Sequence, residues 1–128
     1  MKAGKLVEDV HSNYELLNKL LNTKYNGWMS SIYDLHNGSI IWMVPLDGKK
    51  HNYWRNKKQD DKITEEYVGG QPYPNNIDTG LLNKIRLVFE KVKNRNMQYY
   101  IFRGVYELKE GRHEYRLLQK ISDETNLF

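Results

Sequence analysis

The first part of the chain has apolar residues at a helical period, and the period changes to that of strands from Ile40 onward. Four leucines would lie on one face of a helix: Leu16, Leu17, Leu20 and Leu21. Ser12, with Glu15 three residues later, forms a capping box, and Asn22 is a helix-ending signal. This pattern predicts a helix over residues 12–22 that covers one face or one end of a sheet.

The rest of the chain has the pattern of closely spaced strands. The apolar run over 40–46, stopped by Pro45 and the Asp47-Gly48 turn, predicts a buried strand. Alternating or aromatic segments predict further strands over 62–68, 85–92, 98–108 and 112–121. Gly104 interrupts one of them, which predicts a bulge, and the Gly- and Pro-rich segment 69–76 predicts a loop.

Tight turns between these strands favour an antiparallel meander that closes on itself. The predicted class is therefore α+β and mainly β, a curled antiparallel sheet or small β-barrel with an N-terminal helix packed against it. We expect one domain over residues 1–128, with a helical N-terminal part over 1–37 and the β-barrel over 38–122.

Composition excludes several classes of protein. A chain of 128 residues supports one core, and the absence of cysteine excludes disulfides, thiol nucleophiles and Cys-ligated zinc. The four histidines are scattered, so we expect no metal and no cofactor. The sequence has no signal-peptide pattern and no apolar run of membrane-spanning length, which predicts a cytoplasmic protein without membrane contact.

The segment 48–58 carries the strongest indication of function. It contains five cations and two aromatic residues and no acid, within a chain of net charge +4. Cations suit phosphates and flat rings suit bases, so the segment is typical of a nucleic-acid surface. A solvated turn whose Trp54 packs back onto the core is the alternative. A second basic segment, 84–95, would form one face with it if the two are neighbours in space.

Two other functions remain open. The same surface suits a small inhibitor from a mobile element that binds a nucleic-acid enzyme. A metal-independent ribonuclease could use His51 as a base and Tyr53, Arg55 and Lys57 around the phosphate. The acid pairs at 60–61 and 65–66 lie on extended segments, where neighbours point to opposite sides, so they are interpreted as turn and strand charges.

The order of these segments resembles a known family. A helix is followed by the motif over 40–48, the Tyr-Trp-Arg-Asn segment at 53–56, the aromatic strand 99–108 and Tyr-Arg-Leu-Leu-Gln-Lys-Ile-Ser at 115–122. Over residues 38–122 the chain resembles PUA-like barrels, especially the base-reading domains of modification-dependent restriction endonucleases. The SRA branch carries a Tyr-Asp-Gly signature, whereas this chain has Leu46-Asp47-Gly48.

The resemblance implies a domain that binds nucleic acid, with DNA favoured over RNA, and that holds a modified or flipped base in an aromatic pocket. It implies no catalysis by this chain and a possible nuclease or other protein partner. The candidate nucleic-acid contacts are Lys49, Lys50, Asn52, Tyr53, Trp54, Arg55, Asn56, Lys57, Lys58, Arg86 and Arg103. The candidate pocket residues are Trp42, Asp47, Tyr100 and Tyr106, of which Trp42 is also the best placed to be a core residue.

Overall fold

The computed structural model describes residues 1–70, 79–111 and 113–128. Within these ranges the helices are α1 (Asn13–Leu21) and α2 (Thr79–Leu82). The strands are β1 (Ile32–Asp34), β2 (Ser39–Val44), β3 (Asp47–His51), β4 (Trp54–Gln59), β5 (Lys62–Tyr67), β6 (Ile85–Asn94), β7 (Met97–Gly111) and β8 (Tyr115–Ser122). The mainly β class with an N-terminal helix is confirmed. Most of the predicted loop 69–76, and Arg112 of the predicted last strand, lie outside the described residues.

Helix α1 forms where its local signals predict it. The Ser12 hydroxyl accepts a hydrogen bond from the Glu15 amide at 3.3 Å and donates one to the Glu15 carboxylate at 2.7 Å. Asn22 ends the helix in the left-handed conformation, with φ 53°. Leu16 and Leu17 are fully buried, so the apolar face of the helix packs on the sheet as predicted.

The sheet is mixed, so the predicted antiparallel meander is wrong in one respect. The strand order is β1-β2-β6-β7-β8-β5-β4-β3, and β2 pairs with β6 in parallel, with Ser39 opposite Ile85 and Val44 opposite Glu90. Between these two strands the chain first builds β3, β4 and β5 and then returns through α2. It therefore enters β6 in the same direction as β2. The terminal strands β1 and β3 do not pair, so the sheet is open rather than a closed barrel.

The sheet is nevertheless strongly curled, and its two faces bury separate clusters. Arg86 of β6 contacts Glu65 of β5 although β7 and β8 lie between these strands in the sheet. The outer face packs on α1 and buries Ile41, Met43, Leu87, Phe89, Tyr100 and Phe102. The concave face buries Ile40, Trp42, Val44, Leu46, Ile63, Val88, Tyr106 and Leu118. Every residue of β2 is buried because both of its faces are covered, as the apolar run predicted.

Gly104 makes the predicted bulge in the longest strand. Its φ is +115°, and the pairing register shifts next to it, between Val88 and Phe89 of β6. A Cβ atom at this position would lie 2.8 Å from the carbonyl oxygen of Ser122. Because β7 and β8 pack so closely here, only glycine can occupy this position. The bulge bends the long strand around the concave face. No helix in the described part of the chain is long and apolar enough to cross a membrane.

Candidate nucleic-acid interface

A cleft of about 580 Å³ opens beside the concave face. Its wall is built from the end of β2, the β3–β4 hairpin, β5, α2, and the turn end of β6 and β7. The aromatic, amide and charged residues of the wall, with one apolar residue of α2, are Trp42, Asp47, His51, Asn52, Trp54, Asn56, Glu65, Leu82, Lys91, Lys93 and Gln98. Polar and aromatic groups therefore converge on one partly apolar space, as in binding sites for small planar ligands.

The basic segment is a β-hairpin rather than an irregular loop, so its side chains alternate between two sides. His51 pairs with Trp54, and both line the cleft together with Asn56 two residues on. Lys50 pairs with Arg55, and both are exposed on the other side of the hairpin, as is Lys57. The hairpin thus separates its base-reading candidates from most of its charge. The ribonuclease set is not brought together, because His51 faces the cleft whereas Arg55 and Lys57 face away.

Trp54 and Tyr53 differ in their surroundings. Trp54 is half-buried in the cleft wall, and its ring meets that of Tyr67 edge-on, with 5.5 Å between centroids. Tyr53 lies in the hairpin turn with 56% of its surface exposed. Asn52, beside it, has φ 56°, a left-handed conformation that asparagine tolerates in tight turns. Trp54 therefore presents a ring to the cleft from a supported position.

Asn56 is a buried polar group on the wall of the cleft. It is 7% exposed, and its Oδ1 atom has no hydrogen-bond partner among the residues that the structure describes. In the sheet it lies opposite Glu65 of β5, on the concave side. A buried acceptor without a donor costs about 1–3 kcal/mol, so such a group marks a place where a ligand can supply the donor.

Arg86 is not on the surface, which corrects its assignment as a phosphate contact. It is fully buried, and its guanidinium donates to both carboxylate oxygens of Glu65 at 3.0 and 2.9 Å. The same group donates to the carbonyl oxygen of Leu82 and lies 4.4 Å from the centre of the Trp42 ring. Arg86 therefore fixes Trp42 and α2, two parts of the cleft wall, from behind.

Glu65 has a second cationic partner that the sequence did not reveal. Arg116 of β8 is also fully buried, and its Nη1 lies 3.4 Å from the Glu65 carboxylate. Arg116 donates to the Asn83 side chain at 3.0 Å and to the carbonyl oxygen of His113 at 2.7 Å. The triad of Arg86, Glu65 and Arg116 thus ties three strands to the segment after α2. Spacing along the chain gives no sign of it, because Glu65 and Arg116 are 51 residues apart.

Asp47 lines the cleft as predicted, but it is already engaged. His51 Nε2 lies 2.9 and 3.1 Å from its two carboxylate oxygens, and the Lys49 amide donates to it at 2.9 Å. Burial alone would raise the pKa of Asp47, but these donors outweigh burial and the pKa is lowered. Asp47 and His51 therefore hold the base of the hairpin beside the cleft.

Tyr100 and Tyr106 do not line the cleft, which corrects their assignment as pocket residues. Tyr100 lies on the outer face in the cluster under α1, where its hydroxyl donates to Asn13 and accepts from Gln98. Burial raises its pKa to about 12. Tyr106 is fully buried in the concave cluster, burial raises its pKa, and its hydroxyl has no partner among the described residues.

The remaining basic candidates lie apart from the cleft wall. Lys49 is exposed on β3. Lys58 and Arg103 line a different depression together with residues of both chain ends, and Arg103 Nε donates to Glu90 at 2.7 Å. The second basic segment does reach the cleft, through Lys91 and Lys93. Burial, and then the neighbouring charge of Lys93, lower the pKa of Lys91.

Within the described residues, no three acidic or histidine side chains are grouped as metal ligands.

Comparison with known proteins decides the family. The model of the SET and RING associated domain matches residues 9–127. The chain belongs to this family. SRA domains bind DNA and read modified bases by flipping them, so the expected base-reading class is confirmed. Leu46, which precedes Asp47-Gly48 in this chain, is buried in the concave cluster, whereas Asp47 lines the cleft.

A solved structure shares the fold of this SRA chain. It is described as the 5-hydroxymethylcytosine-specific restriction enzyme AbaSI and superposes with a TM-score of 0.63 at 18% sequence identity. The match covers 91% of this chain and 39% of that one, so this chain spans well under half the length of that enzyme. A comparison with the sequences of curated proteins gave no significant match.

Proposed function

We propose that this SRA domain recognises a modified cytosine in duplex DNA by holding the flipped base in the cleft between Trp42 and the β3–β4 hairpin. The observation that carries the proposal is Asn56, which lines the cleft and whose buried Oδ1 has no partner among the described residues. Cytosine carries an exocyclic amino group, whose N–H would supply the missing donor once the Asn56 amide turns toward the cleft. Trp54 offers a ring for stacking, and stacking offsets the cost of taking a base out of the duplex.

Phosphate contacts are assigned to the other side of the hairpin. Lys50, Arg55 and Lys57 are exposed there, away from the cleft. Lys49 on β3 is exposed as well. Such contacts position the duplex without reading its sequence. Because the hairpin divides these groups from the cleft wall, we expect affinity and base preference to be separable by mutation.

The first expected result concerns recognition of the base. Asn56→Leu should weaken binding to a duplex whose cytosine is held in the cleft by about 1–3 kcal/mol, because leucine has no acceptor for the exocyclic amino group that plain and modified cytosine share. The melting temperature should not fall, since the variant removes a buried acceptor that has no partner among the described residues. Binding is measured by fluorescence anisotropy with matched duplexes containing cytosine, 5-methylcytosine or 5-hydroxymethylcytosine. The last probe is suggested by the enzyme that shares the fold.

The second expected result concerns charge. Replacing Lys50 and Arg55 together by alanine should weaken binding to all duplexes alike. It should also lower the slope of log Kd against log salt by about two, because each cation removed from a phosphate reduces counterion release by about one ion. The preference for the modified base should be unchanged. If that preference disappeared together with the salt slope, the two sides of the hairpin would not act separately, which would count against this assignment.

A wild-type protein that binds modified and plain duplexes equally would contradict the proposed function. The nuclease or other protein partner implied by the family resemblance stays a prediction, and so does the absence of catalysis.

A further inference from the structure

Trp28 is the most exposed large apolar side chain in the described part of the chain. It is 88% exposed, whereas Trp42 is 2% exposed and Trp54 is half-buried. A single exposed apolar side chain is common, but a tryptophan ring that is 88% exposed offers a ligand a large flat surface.

The loop that carries Trp28 is anchored on both sides by α1. Before it, the Asn18 side chain accepts from the Tyr25 amide at 2.7 Å and donates to the Tyr25 carbonyl oxygen at 2.8 Å. After it, Asn13 donates to the carbonyl oxygens of Met29 and Ser30 at 3.0 and 3.3 Å. The exposure of the ring is therefore not the result of a loose loop. A ring held out by a fixed backbone loses little conformational entropy on binding.

The anchored loop leads directly to the cleft. Ser31, three residues after Trp28, accepts a hydrogen bond from the Met43 amide at 2.8 Å, and both residues line the cleft. Lys91 and Lys93 line it too. The loop that carries the Trp28 ring therefore ends at the side of the cleft, here called the lip, that Ser31, Lys91 and Lys93 line.

We propose that Trp28, Lys91 and Lys93 form a second DNA-contacting surface, in which the lysines meet phosphates and the Trp28 ring stacks on a base at the lip. Lys91 and Lys93 line the cleft, Trp28 lies three residues before the lining residue Ser31, and the charge of the lysines matches DNA. The proposal rests on the proposed function only for the position of the duplex over the cleft. It adds a contact that the hairpin and the cleft wall do not provide.

The test compares Trp28→Ala, Trp28→Phe and the control Leu127→Ala, which removes a side chain that is 53% exposed near the C-terminus. The probe is a duplex containing 5-hydroxymethylcytosine, with its plain counterpart alongside. Trp28→Ala should raise Kd about tenfold, because stacking on one base is worth about this much. Trp28→Phe should raise it about two- to threefold, since a smaller ring still stacks. Leu127→Ala should leave it unchanged, and all melting temperatures should match the wild type.

The salt dependence separates the lysines from the ring. Replacing Lys91 and Lys93 by alanine should lower the salt slope by about two, whereas Trp28→Ala should weaken binding at an unchanged slope. An unchanged Kd for Trp28→Ala would overturn the inference and would assign the ring to a protein contact. If Asn56→Leu still weakened binding to the 5-hydroxymethylcytosine duplex in that case, the proposed function would stand. If Trp28→Ala weakened duplex binding but the wild-type protein bound modified and plain duplexes equally, this inference would stand and the proposed function would be rejected.

Discussion

Glu65→Ala is expected to destabilise the fold more than any surface substitution in the chain. The Arg86 and Arg116 side chains are both 0% exposed, and Glu65 is the carboxylate that they share. Removing one member of a buried ion cluster leaves an uncompensated buried charge, at a cost of about 3–5 kcal/mol. For a domain of this size that cost corresponds to a fall in melting temperature of about 10–20 °C. Differential scanning calorimetry or thermal circular dichroism measures it.

The neighbouring Glu66 provides the matched control. It lies on the same strand, points to the other side of the sheet, and is only partly buried. Glu66→Ala should change the free energy of unfolding by no more than about 0.5 kcal/mol. Equal effects of the two substitutions would show that the ion cluster has no special role. A variant with apolar residues at all three cluster positions should recover part of the stability, because it buries no unpaired charge.

The cluster also explains how the fold supports the cleft. Arg86 holds the carbonyl oxygen of Leu82 and lies over Trp42, and Arg116 holds Asn83. Glu65 supplies the one negative charge that the two guanidinium groups share, and through them it keeps α2 and the Trp42 ring in place. We therefore expect Glu65→Ala to weaken the preference for a modified base even at temperatures where the variant remains folded.

Local signals were sufficient for α1, β2 and the bulge at Gly104. A cap, a run of leucines, an apolar run and an interrupting glycine each act within a few residues, and the structure confirms these elements. The parallel pairing of β2 with β6 could not be predicted in the same way. It depends on the path of the chain through β3, β4, β5 and α2, which no local pattern encodes.

Only part of the candidate site could be predicted, because its other contacts join residues that are far apart in the chain. The alternation of inward-facing and outward-facing side chains in the hairpin was not visible in the sequence. Its inward positions are polar, with Asn56 and His51 where a half-buried strand usually has apolar residues. Arg86 was assigned to the surface because arginine is rarely fully buried unless it is paired, and its partner Glu65 is 21 residues away. Trp28 drew no prediction, since its exposure depends on how α1 anchors the loop.

Trp42→Ala is expected to cost about 3–5 kcal/mol of stability, the usual range for removing a buried tryptophan. Trp42 is 2% exposed in the concave cluster, and the guanidinium of Arg86 lies over its ring. The variant should therefore melt far below the wild type. Trp42→Phe keeps an aromatic face and should lose less. Loss of binding by Trp42→Ala is informative only when it is expressed per folded molecule.

Trp54→Ala provides the contrast that separates a core tryptophan from one that stacks on a base. Trp54 is half-buried, and its edge-on contact with Tyr67 is worth about 0.5–1.5 kcal/mol, so the melting temperature should fall only slightly. Stacking on a flipped base should make the same substitution cost about 1–3 kcal/mol of binding. Thermal melting and duplex titration of both variants give the comparison. If Trp54→Ala melts as low as Trp42→Ala yet binds normally per folded molecule, Trp54 is an anchor of the hairpin, and the exposed ring of Tyr53 becomes the candidate for stacking.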